Sequence, residues 1–209
     1  MATLLRIDSS SRLEGSFSRR FGDELASHLD AERTIIRDLV KDPAPHIDAA
    51  AIAAFFSDPS GHGETEQTAT ALSDKLLDEI MAADDIMISV PMYNFGIPSA
   101  LKAWIDQIVR IGKTFDFDGQ KFSGLLQNKR AFLIIAYGAD GYTDGDFKVA
   151  DFVEPYLRFV LNFIGITDIT SVPVEGTNVG KEAEAEARAR DVIASVRPHH
   201  QGKETFTVS

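Results

Sequence analysis

The 209-residue chain contains no cysteine, which excludes disulfides, thiol nucleophiles and cysteine-ligated metal centres. It lacks long apolar runs: none approaches the roughly 20 residues that cross a bilayer. The short apolar start gives way at once to Arg6 and Asp8, so no signal peptide is expected. Positive charge is also short, with 21 Lys and Arg against 32 Asp and Glu, a formal net charge of −11. That balance argues against general nucleic-acid binding and in favour of solubility. Two phosphate motifs are missing as well. There is no Gly-Lys-Ser/Thr of a Walker A loop and no Gly-x-Gly-x-x-Gly of a dinucleotide fingerprint. The five histidines, His28, His46, His62, His199 and His200, show no metal-ligand spacing, so no metal is expected. The His199-His200 pair reads as part of a solvated, loosely held tail. A cytoplasmic location, with no nucleic-acid or membrane partner, is the expectation.

What is present is an ordinary soluble composition, 44% hydrophobic and 25% charged, on a chain long enough for one sizeable core. One domain spanning residues 1–209 is expected, because no repeat or linker interrupts it. Strand patterns fall at Thr3–Ile7, Thr34–Leu39, Ile86–Val90, Arg130–Tyr137 and Asp168–Val174, the last an edge candidate because of Pro173. Between them lie helical patterns at Ser16–Leu29, Ile47–Phe56, Glu66–Ala83, Pro98–Ile111, Phe147–Ile164 (with Pro155 expected near a helix start or at a kink) and Lys181–Val196, with a hairpin or cap at Lys113–Phe122. Asp84-Asp85 reads as a turn rather than a catalytic pair. The alternation predicts an α/β fold, a doubly wound five-stranded parallel sheet with helices on both faces. In the common order 2-1-3-4-5, the switch point falls between the first and third strands. The loops Asp8–Gly15 and Pro91–Ile97 would then face one crevice, flanked by Gly138–Thr143.

The residues of these loops suit a mononucleotide with a flat ring. Asp8–Ser18 follows a strand and opens a helix, where free N–H groups and the helix dipole make an anion site. Ser10, Ser16 and Ser18 add hydroxyl donors; the plainer alternative makes Ser16 an ordinary N-cap. Arg12 and Arg19 can reach a phosphate there, or can simply be solvated. In Pro91–Ile97, Tyr93, Asn94 and Phe95 beside Gly96 offer aromatic faces and an amide, although asparagine also serves merely to shape turns. Trp104, on the apolar face of the following helix, reads as core or subunit packing rather than cofactor stacking.

The sequence resembles the FMN-dependent NADH-azoreductase and quinone-reductase family of flavodoxin-like enzymes. The resemblance rests on Met92-Tyr93-Asn94-Phe95, on Ile97-Pro98-Ser99-x-Leu101-Lys102-x-Trp104-x-Asp106, and on Arg110-x-Gly112-x-Thr114-Phe115. It continues in Pro155-Tyr156-Leu157, in Phe163–Asp168 and in the spaced serines of residues 9–18, so it covers nearly the whole chain. It implies FMN, one per subunit, with its phosphate on Ser10, Ser16, Phe17 (through the backbone) and Ser18. It implies a ring edge at Met92, Tyr93, Asn94 and Phe95. A third contact would come from a Ser-Arg-Gly-Gly-like turn, which here reads Ala136-Tyr137-Gly138-Ala139. The hydroxyl and one glycine are replaced, while Gly138 keeps a small residue for close approach to the ring.

The resemblance further implies a homodimer that passes two electrons, in ping-pong fashion, from NADH or NADPH to quinones and azo compounds, cleaving the azo bond reductively. Because FMN carries the chemistry, no catalytic side chain is required. Tyr93, Phe115, Phe117 and Tyr137 are the candidates for a substrate pocket. Phe115, Phe117 and Phe122 can equally form a satellite hydrophobic cluster. The alternatives are a flavodoxin-type electron carrier that does not itself oxidise nicotinamide, and a flavin-free nucleotide-binding domain.

Overall fold

The computed structural model describes residues 2–199. Its strands are β1 (Thr3–Asp8), β2 (Arg33–Asp38), β3 (Asp85–Pro91), β4 (Phe115–Phe117), β5 (Phe122–Gly124), β6 (Arg130–Ala136) and β7 (Asp168–Val174). Its helices are α1 (Phe17–Leu29), α2 (Ala49–Phe55), α3 (Glu64–Ala82), α4 (Ser99–Ile108), α5 (Glu154–Phe163) and α6 (Glu182–Ser195). Five strands form a parallel sheet in the order β2-β1-β3-β6-β7. This is the predicted doubly wound order, with Pro173 on an edge strand. Among the described residues, no helix is long and apolar enough to cross a membrane.

The central strands are apolar on both faces because both faces are covered. Leu4, Met87, Phe132 and Ile134 meet Phe21 and Leu25 of α1 and Ala185 and Ala189 of α6. The alternate residues Leu5, Ile7, Ile88 and Leu133 meet α3, α4 and α5 through Leu76, Ile80, Leu101, Trp104 and Leu157. Trp104 is therefore a core residue, 1% exposed.

Three expectations need correcting. The helix predicted over Phe147–Ile164 is two elements: a 3-10 turn at Asp146–Ala150, then α5 from Glu154. Pro155 has no N–H and disfavours helical backbone just before it, so it sits in the first turn. Asp151 Oδ1 accepts from the N–H groups of Val153 and Glu154 at 2.8 and 3.2 Å and caps that turn. Asp85 is not a turn residue: it opens β3 fully buried and takes a bidentate pair of bonds from Arg130 at 2.8 and 2.7 Å. His199 is not solvated either, because its Nε2 lies 2.6 Å from Asp85 Oδ2. His200 and the rest of the predicted tail fall outside the described residues.

β4 and β5 form the expected small antiparallel hairpin. Phe115 and Phe122 pack on Phe163 at the end of α5, with ring centroids 4.7 and 5.6 Å apart. The hairpin reaches this position because Gly124 lies against Gly165; a Cβ at Gly124 would stand 2.1 Å from the Gly165 nitrogen. Gly124→Ala must therefore move backbone, and the expected loss is about 1–3 kcal/mol. The open-space control Gly61→Ala, which has nothing within 4 Å, should lose much less. Urea unfolding midpoints of the two variants provide the check.

Candidate functional site

The C-terminal ends of β1, β3 and β6 open on a common crevice, as strand ends at a switch point do. Ser9 ties the first loop to β3: both its N–H and its hydroxyl donate to the Ser89 carbonyl, at 3.1 and 2.9 Å. Arg19 then holds the loop from behind. Its Nε and Nη2 donate to the Ser10 carbonyl at 3.2 and 2.8 Å. The same guanidinium pairs with both oxygens of Asp38 at 2.8 and 2.9 Å, which keeps the Asp38 carboxyl below its ordinary pKa. Arg19 is thus neither solvated nor turned toward an anion; it is a brace. Arg6 lies beneath it, bonded to Asp8 at 2.9 Å, to the Arg19 carbonyl at 3.2 Å and to Asp23.

α1 begins at the mouth of this loop. Ser16 is its N-cap, accepting from Arg19 N–H at 3.4 Å, and its hydroxyl lies 3.3 Å from that of Ser18. Ser10, Ser16 and Ser18 are all buried. The Phe17 and Ser18 N–H groups belong to the first turn, which has no intrahelical acceptors. The structure therefore gathers Ser10, Ser16, Phe17 and Ser18 on one wall of a cavity of about 200 Å³, with Arg12 at its side. A larger hollow of about 470 Å³ shares Ser16 and Phe17 and is lined beyond them by Arg19, Arg20, Asp23, Glu182 and Glu186.

The opposite wall is made by Pro91, Met92 and Tyr93, and the floor by Ala136 and Gly138. The Tyr93 hydroxyl meets the Ser11 hydroxyl at 2.7 Å and the Ser11 N–H at 3.2 Å, joining the two loops. Burial alone would raise the Tyr93 pKa, but the bonds with Ser11 and Ser10 bring it below its ordinary value. Asn94 and Phe95 form the tip of a two-residue turn. Tyr93 and Gly96 exchange backbone bonds of 2.9 and 3.1 Å, and φ is +48° at Asn94 and +69° at Phe95. Asn94 therefore does shape a turn; its side chain and that of Phe95 are exposed and do not line the cavity.

Tyr137 lies away from the crevice side of its turn. Its ring is buried against Tyr142 and its hydroxyl donates to Asp151 at 2.9 Å, lining a separate cavity of about 330 Å³. That burial, together with Asp151, raises its pKa and keeps it protonated. Ala139 contributes its carbonyl to Gly176 N–H at 2.9 Å and does not line the crevice. Phe115 and Phe117 belong to the hairpin beside the segment leading into β7, at the end of the sheet where strands begin, so they do not line the crevice of their own chain.

Two residues that sequence reasoning missed, Thr177 and Asn178, complete the crevice from the loop after β7. The available signal was their position: a Gly-Thr-Asn-Val-Gly stretch following the last parallel strand. A Cβ on Gly138 would stand 2.8 Å from Asn178 Nδ2. The small residue at 138 makes room for that side chain as well as for a ligand. Taken together, one helix N-terminus with three hydroxyls, and one cleft between Met92-Tyr93 and Ala136–Gly138, fit a single phosphate joined to a flat ring. They fit FMN.

A family model described as flavodoxin-like fold matches residues 2–196. The chain is 50% identical over 174 residues to an FMN-dependent NADH:quinone oxidoreductase of Xanthobacter autotrophicus, covering 81% of this chain and 84% of that one. It is 44% identical over 201 residues to an FMN-dependent NADH:quinone oxidoreductase of Nostoc, covering 93% and 97%. A solved FMN-dependent NADH-azoreductase from Bacillus anthracis, in complex with FMN, superposes with a TM-score of 0.77 at 26% identity, covering 92% and 96%. The chain belongs to this flavodoxin-like family of FMN-dependent NADH:quinone oxidoreductases and azoreductases.

Proposed function

We propose that the protein is an FMN-dependent NAD(P)H oxidoreductase acting on quinones and azo compounds by a ping-pong mechanism. The observation that carries this reading is the crevice that brings Ser10, Ser16, Phe17 and Ser18 opposite Met92 and Tyr93. The names of relatives at 44–50% identity support FMN and NADH. When bound, FMN supplies the redox chemistry, taking reducing equivalents from the nicotinamide and giving them to the acceptor. The chain's own groups do the rest. The serine hydroxyls and the helix N-terminus hold the phosphate dianion, and Met92 with Tyr93 walls one side of the ring. The side chains of Asn94 and Phe95 border the mouth, where flat acceptors would enter.

A single domain is part of the same reading, supported by two hydrophobic clusters packed on one sheet. A cytoplasmic location accords with a chain free of cysteine. The principal test uses the purified protein alone. Mild denaturation should release FMN; anaerobic NADH should bleach its visible absorption, and a quinone should restore it with no partner protein. Bleaching that requires a second protein would identify an electron carrier instead.

The phosphate assignment has its own test. Ser16→Asp keeps an N-cap acceptor but sets a carboxylate against the phosphate. The expected outcome is unchanged thermal stability of the apoprotein with FMN affinity lowered at least 100-fold, about 2.8 kcal/mol. Retained affinity would remove the phosphate from this helix end.

A homodimer with two FMN sites is proposed from the apolar residues left in solvent. Phe117, Phe122, Phe152 and Phe159 are 42 to 68% exposed, and Val149 is 86% exposed. Phe115 and Phe117 lie far down their own sheet from the crevice, so they border a substrate pocket only if a second copy brings them to it. Light scattering at micromolar concentration should give twice the chain mass of 22.9 kDa; a fully active monomer would overturn the proposal.

A further inference from the structure

The turn after β6, Ala136-Tyr137-Gly138-Ala139, offers the crevice no hydroxyl or amide side chain: Tyr137 is turned away and bonded to Asp151. The loop after β7 docks on this turn through its backbone. Gly176 N–H donates to the Ala139 carbonyl at 2.9 Å, Thr177 N–H to Tyr137 at 3.2 Å and Asn178 N–H to Gly138 at 2.9 Å. The Thr177 hydroxyl is consumed in the same contact, donating to the Tyr137 carbonyl at 2.9 Å. Asn178 differs. Its backbone does the docking, while its side chain is solvent-exposed, makes no hydrogen bond among the described residues and lines the crevice over Gly138. Any residue could make the backbone bond.

We propose that the Asn178 carboxamide is a hydrogen-bonding group for the edge of the ring held in the crevice, supplying the polar side chain that the turn after β6 lacks. A carboxamide both donates and accepts, which matches a heteroaromatic edge of alternating carbonyl and N–H groups. Gly138 belongs to the same device, since any side chain there would displace the amide. This inference rests on the FMN reading above.

The test titrates apoprotein with FMN and measures the midpoint potential of the bound flavin. Asn178→Ala should bind FMN roughly 3- to 10-fold more weakly, the worth of one ordinary hydrogen bond, with the apoprotein melting as the wild type does. Asn178→Asp replaces a donor with a carboxylate and should disfavour the electron-rich reduced ring. A tenfold loss of reduced relative to oxidised affinity lowers the potential by about 30 mV for two electrons. Gly138→Ala should weaken FMN binding at least as much as Asn178→Ala, because the added methyl crowds both the amide and the ring. Wild-type affinity and potential in both Asn178 variants would overturn this inference alone. A wild-type apoprotein that binds no FMN would overturn the FMN reading with it.

Discussion

The open end of the sheet is organised around one backbone oxygen, that of Ser10, gripped by the Arg19 guanidinium. Arg19 is held in turn by Asp38 on the neighbouring strand, and Arg6 secures Asp8 below. Burying two guanidiniums is tolerable only because each finds carboxylates and carbonyls in good geometry. Asp8 serves both through Oδ2, at 2.9 Å from Arg6 and 3.6 Å from Arg19, while its Oδ1 is buried with no hydrogen-bond partner among the described residues. These arginines spend their donors on the protein, which leaves Ser10, Ser16, Ser18 and Arg12 to line the crevice.

The facing loop is built on strain instead. A two-residue turn with positive φ at both positions ordinarily takes Asn-Gly, yet here the second residue is Phe95. Left-handed backbone at a residue with a Cβ costs about 1–2 kcal/mol. Strain of that size survives where the surroundings impose it. Here they do: the Phe95 carbonyl accepts from Phe152 N–H at 3.2 Å and Tyr93 is latched to Ser11. The turn delivers an aromatic side chain to the mouth of the crevice at a point where glycine would have been easier to accommodate.

Much of this was legible in the sequence because it depends on period and punctuation. The apolar runs of β3 and β6, the helical spacing of Phe17, Phe21 and Leu25, and prolines 91 and 98 mark where strands end and helices begin. Ser10, Ser16 and Tyr93 follow from those boundaries, and Met92 from the family resemblance. What stayed hidden depends on direction and distance. Tyr137 and Gly138 are adjacent, yet only one faces the crevice. Arg19 looks like any surface arginine until Asp38 of the next strand is placed beside it. Phe147 and Val149 mimic a helix face, although Asp151 and Pro155 restart the chain after them. Thr177 and Asn178 carry no motif at all, and become part of the crevice only through pairing of β7 with β6.

The buried acid at the head of β3 bears on how the chain acquires this form. Asp85 is enclosed between β1 and β6, paired with Arg130 and in contact with His199, both much later in the sequence. A nascent chain emerging in order from its N-terminus would hold β1, β2 and β3 with that carboxylate still uncompensated. Closing a core over it then would bury a lone charge. The early half of the molecule therefore has an electrostatic reason to stay open and hydrated until β6 brings Arg130, and the C-terminal segment then adds the His199 contact.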